Sequence, residues 1–489
     1  MTKILSPKEP FVGRQYELDT LNLLTQKKTA SLVVLKGRRR IGKSRLLLEF
    51  TKQHKTHYRF VGLSPELGIT AEHQRIEFAR RLQLQFNIPP ITSNDWNDLF
   101  HWLSTLTVKG KVIIIFDEIS WMAMNDPTFL PKLKNAWDEH LSQNPQLVLV
   151  LCGSVSTWIE INILSSSGFF GRVASEISLD ELSIPNCYKL LKELGFRGSV
   201  MEFFMILSLT GGVPWYLELI NPTLSASENI NRLCFSSDGI LVKEYNKIFH
   251  DLFGKRGDIY RQIIGSLATG PKEYKKISID INYPSGGPLS NYLHELIISG
   301  FVRRDYIWNI NSGERVDISQ YRLNDNYLCF YLKCIEPNLK KISSNRFRDV
   351  ALTSLPNWPT LMGLQFENLI LHNRELIWEK LRINPIEIIN DNPYLQRATK
   401  NRQGCQIDYL IQTKFNILYL CECKFTQAKI GLSVVHEMKN KIERLERQNK
   451  FACKPVLIHI GDVKKDVIDS EFFAHIIDFT EVISMHSTV

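Results

Sequence analysis

The run Gly37-Arg38-Arg39-Arg40-Ile41-Gly42-Lys43-Ser44 has the residue types and spacing of a phosphate cradle. Its two glycines let the backbone curl until successive N–H groups face a triphosphate. Lys43 is long enough to reach the β- and γ-phosphates, and the Ser44 hydroxyl can ligate Mg2+. A second pair, Asp117-Glu118, suits the metal and the water of such a site. Asp117 would hold the Mg2+ through water, and Glu118 would orient or deprotonate the attacking water. An Asp-Glu pair can equally cap the next helix. Ser154, following Gly153, could hydrogen-bond the γ-phosphate or the water, and could also cap a helix.

A third constellation lies near the C-terminus. In NILYLCECKFTQ, residues 416–427, Glu422 and Lys424 alternate with Cys421 and Cys423. Alternate residues of a strand point to opposite faces, so the cysteines share one face and the two charged residues the other. A zinc site on Cys421-x-Cys423 needs two more soft ligands at short spacing. The nearby candidates Cys405, Cys453 and His459 form no CxxC or HxxxH pattern, and the cysteines are most simply core-facing. On the other face, Asp408 in GCQIDYLI precedes Glu422 with thirteen residues between them. Two carboxylates brought that close need a cation to stay ionised together, and Mg2+ or Mn2+ is the natural one. Lys424 would position and polarise the attacking water, or stabilise charge building on a phosphate. Glu367, in GLQFENLILHN, offers a further acid for the metal from a helix, or is an exposed helix charge. Glu273-Tyr-Lys275, Glu437-Met-Lys439 and Asp462-Val-Lys464 also fit the Glu/Asp-x-Lys half, but Glu422 alone follows an apolar strand.

These groups need elements to position them. The apolar run Leu32 to Leu35 leads into the cradle, and Leu46, Leu47 and Phe50 follow at helical spacing, so the order is strand, loop, helix. VIIIF, residues 112–116, reads as a buried parallel strand that delivers Asp117 and Glu118 to its C-terminal edge, where ligands bind in open α/β sheets. LVLVLC, residues 147–152, is a third such strand and carries Ser154 to the same edge; Cys152 within it is a small core residue. At the C-terminus, strand-like runs around Asp408, Glu422 and VLIHIGD belong to one further sheet.

The chain's 489 residues imply two to four domains, and 44% apolar residues suffice for their cores. The net charge of +9 permits a polyanionic partner, but the basic residues are spread along the whole chain. No stretch approaches the roughly 20 apolar residues of a membrane span, and MTKILSPKEPFVGR has no leader pattern, so a soluble, cytoplasmic protein without a membrane partner is expected. Nine cysteines without paired spacing read as reduced thiols.

Residues 251–351 begin with three short helical patterns and continue with strand-like FVRRDYIW and YRLND, an order that resembles a winged helix. LSNYLHELIISG would be its groove-entering helix. That helix carries His294 and Glu295, while Arg303 and Arg304 fall in the wing, which favours an interdomain or regulatory role over base reading and leaves a transcription regulator without a basic recognition helix. Pro-punctuated LTSLPNWPTLMG, residues 352–363, is the expected linker.

Phe11-Val-Gly-Arg14, the phosphate cradle, Asp117-Glu118, Gly153-Ser154, Gly171-Arg172 and Gly211-Gly-Val-Pro214 together resemble the archaeal-type ATPases of the AAA-related STAND class. The resemblance implies ATP and Mg2+ as cofactors and makes Arg172 a candidate γ-phosphate sensor, in its own chain or across subunits of a homo-oligomer. It extends to the C-terminus, whose Ile407-Asp408 and Glu422-Cys423-Lys424 resemble the motifs of PD-(D/E)xK nucleases. Ile407 replaces the Pro of that motif, a residue that carries no chemistry. The expected fold is therefore α/β. A P-loop parallel sheet of the ASCE/AAA-like type fills residues 1–180, a helical subdomain 181–250, a winged helix and extension 251–351, and a PD-(D/E)xK nuclease-like domain 352–489. The expected function is an ATP-driven or ATP-gated, metal-dependent nuclease acting on nucleic acid, DNA foremost. The alternative is an ATPase signalling or defence switch whose C-terminal domain only binds nucleic acid or a partner.

Overall fold

The computed structural model describes residues 10–486 except 67, 254–255 and 401–402, so the expectation about the extreme N-terminus lies outside the described residues. The chain divides after Glu181 into two compact units. No helix among the described residues is long and apolar enough to cross a membrane.

The first unit is built on strands β1 (Ser31–Lys36), β2 (His57–Val61), β3 (Val112–Asp117), β4 (Leu147–Gly153) and β5 (Val173–Ser178), all parallel, in the order β2-β3-β4-β1-β5. The period of two along each strand sorts its side chains into two cores. Leu32 and Val34 join Ile114, Phe116, Leu149 and Leu151 on one face, and Val33 and Leu35 join Ile113, Ile115, Val148, Val150 and Cys152 on the other. Helices cover both faces, which is why β1, β3 and β4 read as unbroken apolar runs. With β4 inserted between β1 and β3, the C-terminal ends of these three strands form one edge.

The second unit opens with five helices between Ile184 and Phe253. Three more, Gly257–Leu267, Tyr274–Asp280 and Gly287–Ile298, then accompany a small antiparallel sheet of β6 (Lys272–Glu273), β7 (Val302–Trp308) and β8 (Arg315–Leu323) in the order β6-β8-β7. A mixed sheet follows, formed by β9 (Ile388–Gln396), β10 (Cys405–Thr413), β11 (Ile417–Phe425), β12 (Ala452–Ile460) and β13 (His475–Asp478), in the order β13-β12-β11-β10-β9. β9, β10 and β11 are antiparallel neighbours, whereas β11, β12 and β13 run parallel.

The β7–β8 hairpin is seated against the mixed sheet. Ile307, Trp308 and Ile310 share a core with Tyr394, Leu410 and Leu418, and the Trp308 indole donates to the Gln412 side chain. Asn390 of β9 donates to the Gly313 carbonyl at the hairpin turn, at 2.8 Å. The two arginines of β7 are committed as well: Arg303 donates to the Leu371 carbonyl, and Arg304 lies over the Tyr306 and Tyr321 rings. The stretch expected to be a linker is packed instead. Leu352, Leu355, Trp358, Leu361 and Met362 are buried, because its apolar residues outweigh the prolines that suggested a break.

Candidate functional site

The cradle joins β1 to the helix Lys43–Lys52. Gly37 has φ +151°, and a Cβ there would lie 2.7 Å from the Leu179 carbonyl oxygen, so only glycine fits. Gly42 caps the helix at φ 99°. Ile41 is fully buried and anchors the loop in the core, leaving Arg39 and Ser44 exposed at its rim. Lys43 is buried, its Nζ donating to the carbonyls of Gly37 at 2.6 Å and Arg38 at 3.0 Å. Arg38 pairs with Glu181, and Arg40 is held at φ 71°. The FVGR stretch acts on this loop from outside: Arg14 donates to the carbonyls of Ile41 and Asp180, tying the cradle to the chain beyond β5.

Asp117 and Glu118 end β3 as the sequence implies, and the structure adds their partners. Glu118 sits at φ 52°, and its Oε2 accepts from the Ser154 hydroxyl at 2.8 Å and the Ser154 N–H at 3.3 Å. The catalytic-base candidate and the β4 serine are thus one hydrogen-bonded unit. Asp117, only 3% exposed, accepts from the Glu118 N–H at 3.1 Å and forms an ion pair with Arg59 of β2. Sequence reading did not find Arg59; its one signal is a cation inside an edge strand that runs beside β3.

Arg172 is a correction. Val173, next to it, pairs with Leu32 near the start of β1, while the cradle follows Lys36 at the other end. Four strand steps at about 3.3 Å each separate the two. The Arg172 guanidinium instead forks onto Asp138, at 2.7 and 2.8 Å, and holds that carboxyl down to about 2. Sensing the γ-phosphate bound in its own chain is therefore not what this arginine is positioned to do.

In the second unit, Tyr409 of β10 pairs with Cys421 of β11, so Asp408 and Glu422 stand opposite each other one register step on. The β9–β10 register shifts between Ile407 and Leu410, a local irregularity of the kind that re-aims side chains. Asp408 Oδ2 accepts the Cys423 N–H at 2.9 Å. Glu422, 3% exposed, holds Lys424 Nζ on one oxygen at 2.9 Å and Lys441 Nζ on the other at 2.6 Å. Lys441, from the helix Ser433–Arg444, also lies 3.8 Å from Asp408 Oδ1. Burial, followed by the charges of Glu422 and Glu367, pushes the Asp408 carboxyl up to about 7. Burial works against the Lys424 and Lys441 ammonium charges, yet the surrounding carboxylates hold both above the ordinary lysine value.

The expected metal ligands Glu367, Asp408 and Glu422 do not form an ion cage. Glu367 is diverted to Arg322 of β8 at 3.3 Å, a guanidinium that also bonds Asp305 of β7 at 3.1 Å. Lys441 stands on both Asp408 and Glu422. Among the described residues, no group of three or more His, Cys, Asp or Glu side chains is placed to hold a metal ion. Cys421 and Cys423 are buried thiols, as the alternation of faces implies. Lys441 and Arg322 escaped the sequence reading, Lys441 in a charged helical stretch and Arg322 in the strand-like YRLND, because each meets its partners only through the fold.

A five-stranded parallel sheet in this order, with a glycine-lysine cradle after β1 and a carboxylate pair after β3, defines a P-loop ATPase. Residues 11–220 match the family described as an ATPase domain predominantly from Archaea, so the chain carries an archaeal-type ATPase domain. An uncharacterized protein of Methanocaldococcus jannaschii, MJECL04, is 25% identical over 337 residues, which cover 69% of this chain and 71% of the relative. Among solved structures, the Walker-type ATPase PABY2304 of Pyrococcus abyssi is similar over 68% of this chain and 99% of its own, with 19% identity and a TM-score of 0.49. The ORC2 protein of Aeropyrum pernix, solved as ADPNP–ADP complexes, is similar over 70% and 97%, with 14% identity and a TM-score of 0.41.

Proposed function

We propose that this chain couples the ATP state of its N-terminal domain to nucleic-acid cleavage by a PD-(D/E)xK-type C-terminal domain, with DNA as the foremost substrate. In the ATPase half, the backbone from Gly37 to Gly42 cradles the phosphates and Lys43 neutralises their oxygens. The Ser44 hydroxyl and the Asp117 carboxylate are hard oxygen donors suited to Mg2+. Glu118, oriented by its two hydrogen bonds from Ser154, aligns the attacking water.

One observation carries the nuclease half. Asp408, Glu422 and Lys424 meet on adjacent strands, with Glu422 ion-paired to Lys424 at 2.9 Å. Asp408 and Glu422 are the proposed ligands of Mg2+ or Mn2+, and Lys424 is the ammonium that meets the phosphodiester. The arrangement with Lys441 on the same oxygens does not itself fit a divalent ion, so cleavage requires Lys441 to move. The winged-helix segment, ion-paired to the C-terminal domain through Arg322 and Glu367, is the proposed relay.

The Lys441 contacts also favour a second reading, an ATPase signalling or defence switch whose C-terminal domain binds nucleic acid or a partner without cutting. The deciding experiment is cleavage of labelled single- and double-stranded DNA and RNA by the full chain. It is run with Mg2+ or Mn2+, with and without ATP, beside Lys43→Ala and Glu422→Ala. Metal-dependent cutting lost in Glu422→Ala and altered in Lys43→Ala supports the coupled nuclease. ATP hydrolysis with no cutting of any substrate overturns it in favour of the switch.

A further inference from the structure

The C-terminal carboxylates already hold a cation, and it is part of the chain. Lys441 Nζ lies 2.6 Å from Glu422 and 3.8 Å from Asp408, and Glu422 gives its second oxygen to Lys424. Both Glu422 oxygens are therefore occupied by ammonium groups, and Glu422 itself is buried. The third acid, Glu367, is neutralised separately by the buried Arg322. Two carboxylates face to face, one of them buried, would repel without a positive charge between them, and Lys441 supplies it.

We infer that Lys441 is a tethered cation lock: its ammonium and a divalent metal compete for the same Asp408 and Glu422 oxygens, so the metal enters only when Lys441 withdraws. The lock rests on the proposal that these two carboxylates are the divalent-cation ligands, and it adds the regulation of that site. Lys441 has the means to withdraw. It ends a flexible four-carbon stem on a helix near the mixed sheet, whereas Asp408 and Glu422 are fixed to paired strands. A charged residue that sits on the ligands is also a reason for the site to stay silent until the rest of the chain changes state.

The test is Mn2+ binding by the full-length, nucleotide-free protein, followed by electron paramagnetic resonance of the free ion. Lys441→Met removes the competing charge at similar length, and about tenfold or greater tightening is expected. Lys441→Arg keeps the charge and should stay as weak as wild type. Lys441→Met combined with Glu422→Gln should lose the gained site, which separates it from Mn2+ bound elsewhere. A second measurement needs no variant: Mn2+ should increase modification of Lys441 by an amine-reactive reagent, read by mass spectrometry, as the ammonium is displaced. Equal Mn2+ affinity in wild type and Lys441→Met overturns the lock. If Lys441→Met does not fold, unchanged Lys441 labelling across the Mn2+ titration overturns it. Tightened binding without cleavage of any nucleic acid keeps the lock and overturns the nuclease reading alone.

Discussion

The carboxylate of Glu118 and the side chain of Ser154 are joined by a 2.8 Å hydrogen bond, although β3 and β4 deliver them from 36 residues apart. A second bond, from the Ser154 N–H, leaves Glu118 little freedom to rotate. The orientation of Glu118, the proposed water-activating group, is thus set by the residue that follows β4, the strand between β1 and β3.

Ser154→Ala should lower kcat for ATP hydrolysis by at least about tenfold while leaving the KM for ATP nearly unchanged, because the lost bond orients the base rather than the nucleotide. Ser154→Thr, which keeps the hydroxyl, should retain most of the activity. Steady-state kinetics of the two variants check this; a rise in KM at constant kcat would contradict it.

Arg59 pairs with Asp117, the carboxylate proposed above to hold Mg2+. Arg59→Ala should therefore lower the Mg2+ concentration needed for half-maximal ATP hydrolysis. The Arg59 side chain is 43% exposed but the Asp117 side chain only 5%, so removing the arginine should also lower the Tm modestly. A Mg2+ titration of the ATPase rate beside a thermal melt distinguishes this from a purely structural role, which would shift the melt and leave the Mg2+ requirement alone.

Arg172 works on Asp138. The Asp138 carboxyl is held at about 2, below its ordinary value, so the ion pair stabilises the fold above the unfolded pKa and is lost as pH falls towards 2. In Arg172→Ala, the Asp138 titration followed by NMR should rise towards the model-peptide value of about 3.9. The ATPase rate per chain in dilute solution should stay unchanged, since the arginine stands at the far end of the sheet from the cradle.

Trp308→Ala should cost about 3–5 kcal/mol, combining the loss of a large buried side chain with a Gln412 left without its indole donor. Denaturant unfolding measures it. A loss below about 1 kcal/mol would mean the hairpin contributes little to the sheet it touches.

Where local patterning and burial agree, the sequence was a good guide. The unbroken apolar runs of β1, β3 and β4 predicted a parallel sheet covered on both faces, and the cradle and Asp117-Glu118 come at the ends of their strands as read, while Asp408 and Glu422 stand within β10 and β11. The alternation in CECK separated thiols from charged groups correctly. The misses share a physical origin. Arg59, Lys441 and Arg322 are long cations whose partners, Asp117, Glu422 and Glu367, lie 58, 19 and 45 residues away. Nothing local marks such a cation, because its choice of carboxylate is made by strand order and helix placement. Glu367 as a metal ligand and Arg172 as a sensor within its own chain went astray in the same way: each was assigned to a ligand and the fold gave it a nearby opposite charge. Residues 352–363 misled through their prolines, which mark turns but say nothing of whether Leu355 and Trp358 are buried beside them.

β9 is the last strand of its sheet, and the β7–β8 hairpin lies along it. The hairpin therefore buttresses the mixed sheet through side chains, Trp308 reaching Gln412 of β10 and Asn390 of β9 reaching the hairpin turn. It follows that the C-terminal sheet is not a free-standing cassette: a chain cut at residue 352 would lose Trp308 and Ile307 from the core they share with it.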